Sequence, residues 1–170
     1  ALMWAAKNGH LEIVKELLKF GVNIRMKEYG TAVCAIDGNN IEILKLIFEK
    51  LDYNVSYRNY EVYKESLKYS IEKNKVEAYK FLISLFFDVV YEGDQYYYYT
   101  QNIELAVTNK RLEILKELAN KDRGYLAYSL EVASKVRNNM DILKYLIKEG
   151  APVNEKITDY DNYDSVKGKY

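Results

Sequence analysis

Leu11-Glu12-Ile13-Val14-Lys15 is the stretch that decides the fold, because variants of it return four more times along the chain. Every copy has an acidic residue second, a lysine fifth, and apolar residues first, third, fourth, seventh and eighth, counting Tyr79 and Ala119 as apolar. The spacings between consecutive copies are 30, 35, 36 and 28 residues, and the copies begin at Leu11, Ile41, Val76, Leu112 and Met140. This apolar spacing is that of one face of an α-helix, so each copy predicts a helix of about ten residues.

A second, shorter helix is predicted before each copy. It carries one position with a small residue, which lets a neighbouring helix approach closely: Ala5, Ala35, Ser70, Ala106 and Ala133. A tight turn joins the two helices, and its left-handed position holds Gly9, Asn39, Asn74 and Asn138, the residue types that tolerate such a backbone. Lys110 departs from this pattern, although Asn109 precedes it.

A helix pair of this size cannot bury its own apolar stripe, so we expect five pairs to stack into one continuous core. A period of about 32 residues is typical of such repeat proteins. The predicted units span residues 1–24, 31–55, 66–90, 102–122 and 129–154. Residues 155–170 follow as a polar C-terminal tail or a partial repeat.

The stretch from Trp4 to Leu18, WAAKNGHLEIVKELL, resembles the helical part of an ankyrin repeat. Gly21-Val22-Asn23-Ile24 and Gly150-Ala151-Pro152-Val153-Asn154 resemble the segment that ends the repeat in that family. The resemblance covers residues 1–154 and implies an all-α, ankyrin-type solenoid with short β-like finger loops. The family's Thr-Pro-Leu-His segment is missing, and Gly30-Thr31-Ala32-Val33-Cys34 stands in its place in the second copy. Tetratricopeptide arrays have a similar period, but their short links fit less well than ankyrin fingers.

Composition excludes several classes of function. The 170 residues carry 25 basic and 25 acidic side chains, which disfavours nucleic-acid and anionic-membrane binding. No apolar run is long enough for a membrane span, and no secretory signal opens the chain. One cysteine and one histidine leave little for metal or triad chemistry. We therefore expect no enzyme, no cofactor, no metal, no small-molecule substrate, and an intracellular location, cytoplasmic with the nucleus left open.

Tyrosines are the unusual local feature. Tyr96-Tyr97-Tyr98-Tyr99 follows Tyr91 and a predicted hairpin turn, Glu92-Gly93-Asp94-Gln95, and Tyr57, Tyr60 and Tyr63 lie in the preceding connection. High β-propensity predicts two neighbouring fingers here, and tyrosine is enriched at contact hot spots. The alternatives are that these residues pad the fingers of a chain with 18 tyrosines, or that they stack on single-stranded nucleic acid.

Three single residues and an acidic run have simpler interpretations. Cys34 and Trp4 share one position on the first helices and are expected in the core, unless Trp4 is exposed at the end of the array. His10 is expected to be a structural turn residue without a catalytic partner. Asp159, Asp161 and Asp164 lack the Gly and Glu of a calcium loop and are expected to form a solvated tail.

The resemblance implies a function: non-catalytic protein–protein recognition through the finger loops and the concave face of first helices. The alternative is a structural spacer within a larger repeat protein. The bias towards Lys, Asn, Tyr and Ile is similar to that of ankyrin proteins of large DNA viruses, which implies a host protein as the partner. Because the first copy lacks a preceding finger and a polar cap, we expect the chain to be a fragment of a longer array.

Overall fold

A computed structural model of the chain describes residues 1–24, 30–51, 57–85, 95–119 and 123–153. These residues form ten α-helices in five consecutive pairs. The helices are α1 Leu2–Lys7, α2 Leu11–Lys19, α3 Gly30–Asp37, α4 Ile41–Lys50, α5 Tyr57–Glu72, α6 Val76–Ser84, α7 Gln95–Thr108, α8 Leu112–Ala119, α9 Arg123–Lys135 and α10 Met140–Lys148.

The helices lie in two layers. The first helices of the pairs pack side by side, α1 on α3, α3 on α5, α5 on α7 and α7 on α9. The second helices form the other layer, where α2 contacts α4, α4 contacts α6, and α6 contacts α8. The core lies between the layers, so the predicted all-α solenoid of stacked helix pairs is confirmed.

The tight turns are confirmed at all five positions. Gly9 has a φ of 77°, and Asn39, Asn74 and Asn138 have φ values of 59°, 56° and 56°. Lys110, which departs from the Gly/Asn pattern, adopts the same left-handed conformation with a φ of 58°. The fold therefore imposes this turn even where the residue type disfavours it.

The small-residue position is buried in every pair, as its spacing predicts. The residue just before three of the second helices has a polar side chain that reaches the previous helix pair. It donates to the C-terminal end of the first helix of that pair. Asn40 Nδ2 donates to the carbonyls of Ala6 and Lys7 (2.8 Å each), Lys75 Nζ to that of Asp37 (2.8 Å), and Arg111 Nη2 to that of Glu72 (2.5 Å). These bonds, called the donor ladder below, satisfy carbonyls that a helix end leaves without an intrahelical partner.

The predicted β-like fingers are wrong wherever the structure describes them. Helices α5, α7 and α9 begin before the units predicted at 66, 102 and 129, so residues 57–63, 95–100 and 123–127 are helical. The rest of the predicted fingers lies outside the described residues. Among the residues that are described, no strand occurs.

The absence of the Thr-Pro-Leu-His segment permits these longer helices. Proline is tolerated in the first turn of a helix, but inside a helix it removes a hydrogen bond and clashes with the preceding turn. Thr31, Ser66 and Asn102 occupy the place of that proline, and all three are buried. Ser66 and Asn102 keep their N–H groups, so the backbone of α5 and α7 can remain helical on both sides of these residues.

Two tyrosine hydroxyls are buried without a hydrogen-bond partner among the described residues. Tyr63 is 1% exposed and Tyr79 is 0% exposed, and neither hydroxyl finds an acceptor or donor. Burial raises the pKa of both hydroxyls well above the usual value, with smaller contributions from Tyr99. A raised pKa in the folded state means that this part of the stability is complete below about pH 10 and is lost as pH rises above it.

We expect Tyr79→Phe to raise the free energy of unfolding by about 1 kcal/mol at neutral pH, because it removes an unsatisfied buried hydroxyl. The gain should be larger at about pH 11, where unfolding of the unsubstituted chain is favoured by ionisation of Tyr79. Urea unfolding at both pH values measures it. The control is Tyr97→Phe on an exposed side chain, which should change nothing. A loss of stability in Tyr79→Phe would contradict the absence of a partner.

Candidate functional site

A groove of about 680 Å³ runs between α5 and α7 on the layer of first helices. Both helices contribute to it over several turns, including the parts that extend beyond the predicted units. The lining residues are Tyr63, Lys64, Glu65, Leu67, Lys68, Tyr97, Tyr98, Gln101, Asn102, Glu104, Leu105 and Thr108. We call this the α5–α7 groove.

Two tyrosines of α7 form one edge of the groove. Tyr97 is 59% exposed, and its ring lies 5.8 Å from that of Tyr98 in an edge-on arrangement. The half-buried Tyr98 ring lies 5.8 Å from Tyr60 of α5, also edge-on. Such aromatic pairs stabilise beyond the area that they bury. Tyr97 is therefore an exposed ring at the edge of the groove, next to the half-buried rings of Tyr98 and Tyr60.

Tyr63 and Tyr99 were predicted as accessible contact residues, and the structure contradicts this. They are 1% and 5% exposed and belong to the core. Tyr99 stacks on Tyr125 of α9 at 5.0 Å, and Tyr63 packs edge-on against Phe48. Because residues 57–63 and 95–100 are helical, the tyrosines point to several sides of a helix, and some of them must face the neighbouring repeats.

The remaining predicted contact residues are Tyr57, Tyr96 and Tyr91. Tyr57 and Tyr96 lie within α5 and α7, but their side chains are outside the described part of the chain. Tyr91 and residues 92–94 of the predicted turn are outside it altogether, and Gln95, the last residue of that turn, is the first residue of α7.

Charged residues of both signs surround the groove. Lys64 pairs with Glu61 at 2.8 Å, and Glu104 accepts a short hydrogen bond from the Tyr128 hydroxyl. Glu65 and Lys68 form no ion pair within the described residues. A partner can therefore meet an unpaired carboxylate and an unpaired ammonium group one helical turn apart on α5.

The floor of the groove contains polar atoms without partners. Asn102 is 8% exposed, and its Nδ2 forms no hydrogen bond among the described residues. The Tyr63 hydroxyl, which also borders the groove, is unsatisfied as well. Both atoms are themselves buried, so a partner in the groove does not reach them in this arrangement of the helices.

Sequence reasoning missed most of the groove, including Lys68, Gln101, Asn102 and Thr108. A signal was present, since Tyr63 and Tyr99 occupy equivalent places in the third and fourth units and continue the apolar stripe towards the N-terminus. Three positions after each of these tyrosines comes a polar residue, Ser66 or Asn102. Because this residue interrupts the apolar stripe, the sequence pattern did not indicate that the helix continues.

The other single residues lie apart from the groove. Cys34 is half-buried, and burial raises the pKa of its thiol, which disfavours the reactive thiolate. His10 lies in the first turn with its ring 5.1 Å from that of Trp4. Trp4 is 63% exposed, so the expectation that it lies in the core is wrong, and the alternative that it is exposed holds. The aspartates at 159, 161 and 164 fall outside the described residues.

Within the described ranges, no three His, Cys, Asp or Glu side chains are grouped so that they could hold a metal ion. No helix in the same ranges has the length and apolar character to cross a membrane.

Comparison with known proteins gives one match. A family model described as ankyrin repeats (3 copies) matches residues 1–59. No curated protein, viral or other, matches the chain. No solved structure matches it. The match therefore covers the first two helix pairs and the start of α5, and the later pairs lie outside it.

Proposed function

We propose that the chain is a non-catalytic protein–protein interaction module that binds its partner in the α5–α7 groove. The observation that carries this proposal is the 59% exposed Tyr97 ring, which lines the α5–α7 groove together with Glu65 and Lys68, two charged residues without an ion pair among the described residues. The match to ankyrin repeats supports it, because these repeats are generally protein–protein interaction modules.

The chemistry of the groove favours a protein partner. Tyr97 offers a large ring with a polar tip, which is the usual composition of a contact hot spot. Glu65 and Lys68 match the mixed charges of a protein surface, whereas a nucleic acid would require a basic excess.

A structural spacer without a partner of its own is the second candidate. The observation that favours it is the use of tyrosines between repeats, where Tyr60 contacts Tyr98 and Tyr99 stacks on Tyr125. In that case these tyrosines serve to pack the first helices against one another, and the exposed Tyr97 ring has no partner to bind.

The proposal keeps two expectations from the sequence. One is an intracellular location, cytoplasmic or nuclear. The other is a host protein as the partner, which rests only on the resemblance to ankyrin proteins of large DNA viruses. Residues Tyr60 and Tyr98 remain proposed contact residues beside Tyr97, since both are partly accessible.

Affinity capture with the immobilised chain tests the proposal. We expect proteins bound by the unsubstituted chain to be lost with Tyr97→Ser and with Lys68→Glu. For a purified partner, Tyr97→Ser should raise the dissociation constant by about tenfold or more, as for a hot-spot tyrosine. The melting temperature of both variants should stay unchanged, because Tyr97 and Lys68 are exposed.

The matched control is Phe20→Ser. Phe20 is 83% exposed and follows α2, in the layer of second helices. Capture should be unaffected by this change. Equal capture by the groove variants would contradict binding in the groove, and no specific capture at all would favour the spacer.

A further inference from the structure

A second groove lies between α2 and α4, in the layer of second helices. Its volume is about 540 Å³, and we call it the α2–α4 groove. Four of its lining side chains are aliphatic and half-buried: Leu18, Val22, Ile24 and Leu46. The groove therefore keeps apolar surface accessible at a contact between two described pairs, and not at an end of the array.

The charged side chains that line the α2–α4 groove, in the part of the chain that the structure describes, are all lysines: Lys15, Lys19 and Lys50. Lys15 pairs with Glu12 at 2.8 Å, and Lys19 pairs with Glu16 at 2.6 Å. Both pairs are exposed and lie within one helix, so they are weak, and each ammonium group keeps donors for a second acceptor. Lys50 forms no ion pair with a described residue. The groove is therefore suited to a carboxylate.

The contacts between later pairs show what the next pair supplies to such a lysine. In the third and fourth pairs, the fifth residue of the repeated stretch is a lysine that contacts the sixth residue of the following pair. Lys80 Nζ lies 3.6 Å from Glu117 Oε1, and Lys116 Nζ lies 5.7 Å from the centre of the Tyr145 ring. Each of these lysines thus receives a carboxylate or an aromatic face from its neighbour.

The α2–α4 groove supplies neither group. Its fifth-position lysine is Lys15, and the sixth residue of the following pair is the aliphatic Leu46. The contact between α4 and α6 is closed differently, because Phe48 and Phe81 pack edge-on there with ring centres 6.1 Å apart. Leu18 and Leu46 occupy the equivalent positions at the groove, so smaller side chains leave open the space that two rings fill one pair later.

We propose that the α2–α4 groove binds an acidic segment of a partner protein in which an aliphatic side chain lies next to carboxylates. The aliphatic side chain covers Leu18 and Leu46. One carboxylate stands beside Lys15, as the glutamate of the following pair stands beside Lys80, and another pairs with Lys50. This contact is separate from the α5–α7 groove, which lies in the other helix layer.

The lining of the groove fits a protein segment better than a nucleic acid. Single-stranded nucleic acid binds by stacking its bases on aromatic rings, and the described lining residues include no aromatic side chain. An aliphatic side chain of a partner gains from contact with the half-buried leucines, because both lose apolar surface exposed to water. The lysines then select segments that carry carboxylates, since complementary charges determine specificity more than affinity.

Selection from a displayed library of random peptides tests the proposal, with the full chain as bait. Peptides of about 12 residues span roughly 40 Å when extended. We expect the recovered peptides to carry Asp or Glu next to Leu, Ile or Val. Leu46→Glu gives Lys15 the carboxylate that Glu117 gives Lys80, so this variant should no longer bind these peptides. Lys50→Glu should raise their dissociation constant by about tenfold or more, through repulsion between like charges.

Two controls separate binding in the α2–α4 groove from general effects. Lys148→Glu reverses an exposed charge in the last turn of α10, as Lys50→Glu does in α4, and should leave the peptide affinity unchanged. Tyr97→Ser should leave it unchanged as well. Because Tyr97 belongs to the α5–α7 groove, this proposal and the proposed function can fail independently of each other.

An exchange of charges completes the test. A recovered peptide with its acidic residues changed to lysine should lose affinity for the unsubstituted chain and regain it for Lys50→Glu, which a misfolded variant could not show. The proposal would be overturned by recovered peptides that lack acidic residues, or that bind Leu46→Glu as tightly as the unsubstituted chain. A library that yields no peptide above background would overturn it equally.

Discussion

Asn102→Pro should lower the free energy of unfolding by about 3 kcal/mol or more. Residue 102 lies inside α7, so proline removes an intrahelical hydrogen bond, and its ring clashes with the carbonyl of Tyr98. The contacts of Tyr98 with Tyr60 and of Tyr99 with Tyr125 depend on that part of the helix. The ankyrin motif carries proline at this position, so the substitution asks whether the chain here follows the motif or the longer helix.

Thr31→Pro is the matched control. Thr31 occupies the same place in its unit but is the second residue of α3, at the start of that helix's described range. Its loss should stay below about 1 kcal/mol, because proline is tolerated in the first helical turn. Urea unfolding followed by circular dichroism measures both. Equal tolerance of the two prolines would mean that residues before 102 are not helical.

Phe48→Ala should lower the free energy of unfolding by about 3–5 kcal/mol. Phe48 is fully buried and contacts Tyr63 and Phe81, so its ring joins the second helix pair to the third. In an array, each pair is stabilised by its neighbours, and loss of this interface separates the first two pairs from the last three. We expect thermal unfolding followed by calorimetry to show two steps in the variant.

The control for this change is Ile147→Ala at the equivalent position of the last pair. Its side chain is 52% exposed and has no described pair after it, so the loss should remain within about 0.5 kcal/mol in dilute solution. A Phe48→Ala variant as stable as the control would show that the two parts of the array do not depend on this ring.

The second helices and the turns could be predicted because their signals are local. The repeated stretch specifies its helix through five apolar positions, and the turn is specified by Gly9 and its asparagine equivalents. Lys110 shows the limit of this reasoning, since its residue type argues against the left-handed conformation that it adopts. At Lys110, the positions of the two flanking helices determine the backbone conformation of the turn, whichever residue type occupies it.

The longer first helices could not be predicted because tyrosine fits a strand as well as a helix surface. The interpretation of Tyr96–Tyr99 as a finger rested on β-propensity and on a turn at 92–95. Packing against α5 and α9 decides the outcome instead, and that packing joins residues distant in sequence. The α5–α7 groove depends on the same packing, so its floor at Asn102 was invisible in the sequence.

The donor ladder has a consequence for the order of the repeats. Its three steps use side chains of different length, Asn40, Lys75 and Arg111, yet each brings its nitrogen within 2.5–2.8 Å of a carbonyl. Asn40 can reach its carbonyls only where the two backbones approach closely, whereas the flexible Lys75 and Arg111 side chains can span a wider gap. Exchange of two units by gene recombination could therefore place the short Asn40 where a long donor is required, so these units are not freely interchangeable even though their helices look alike.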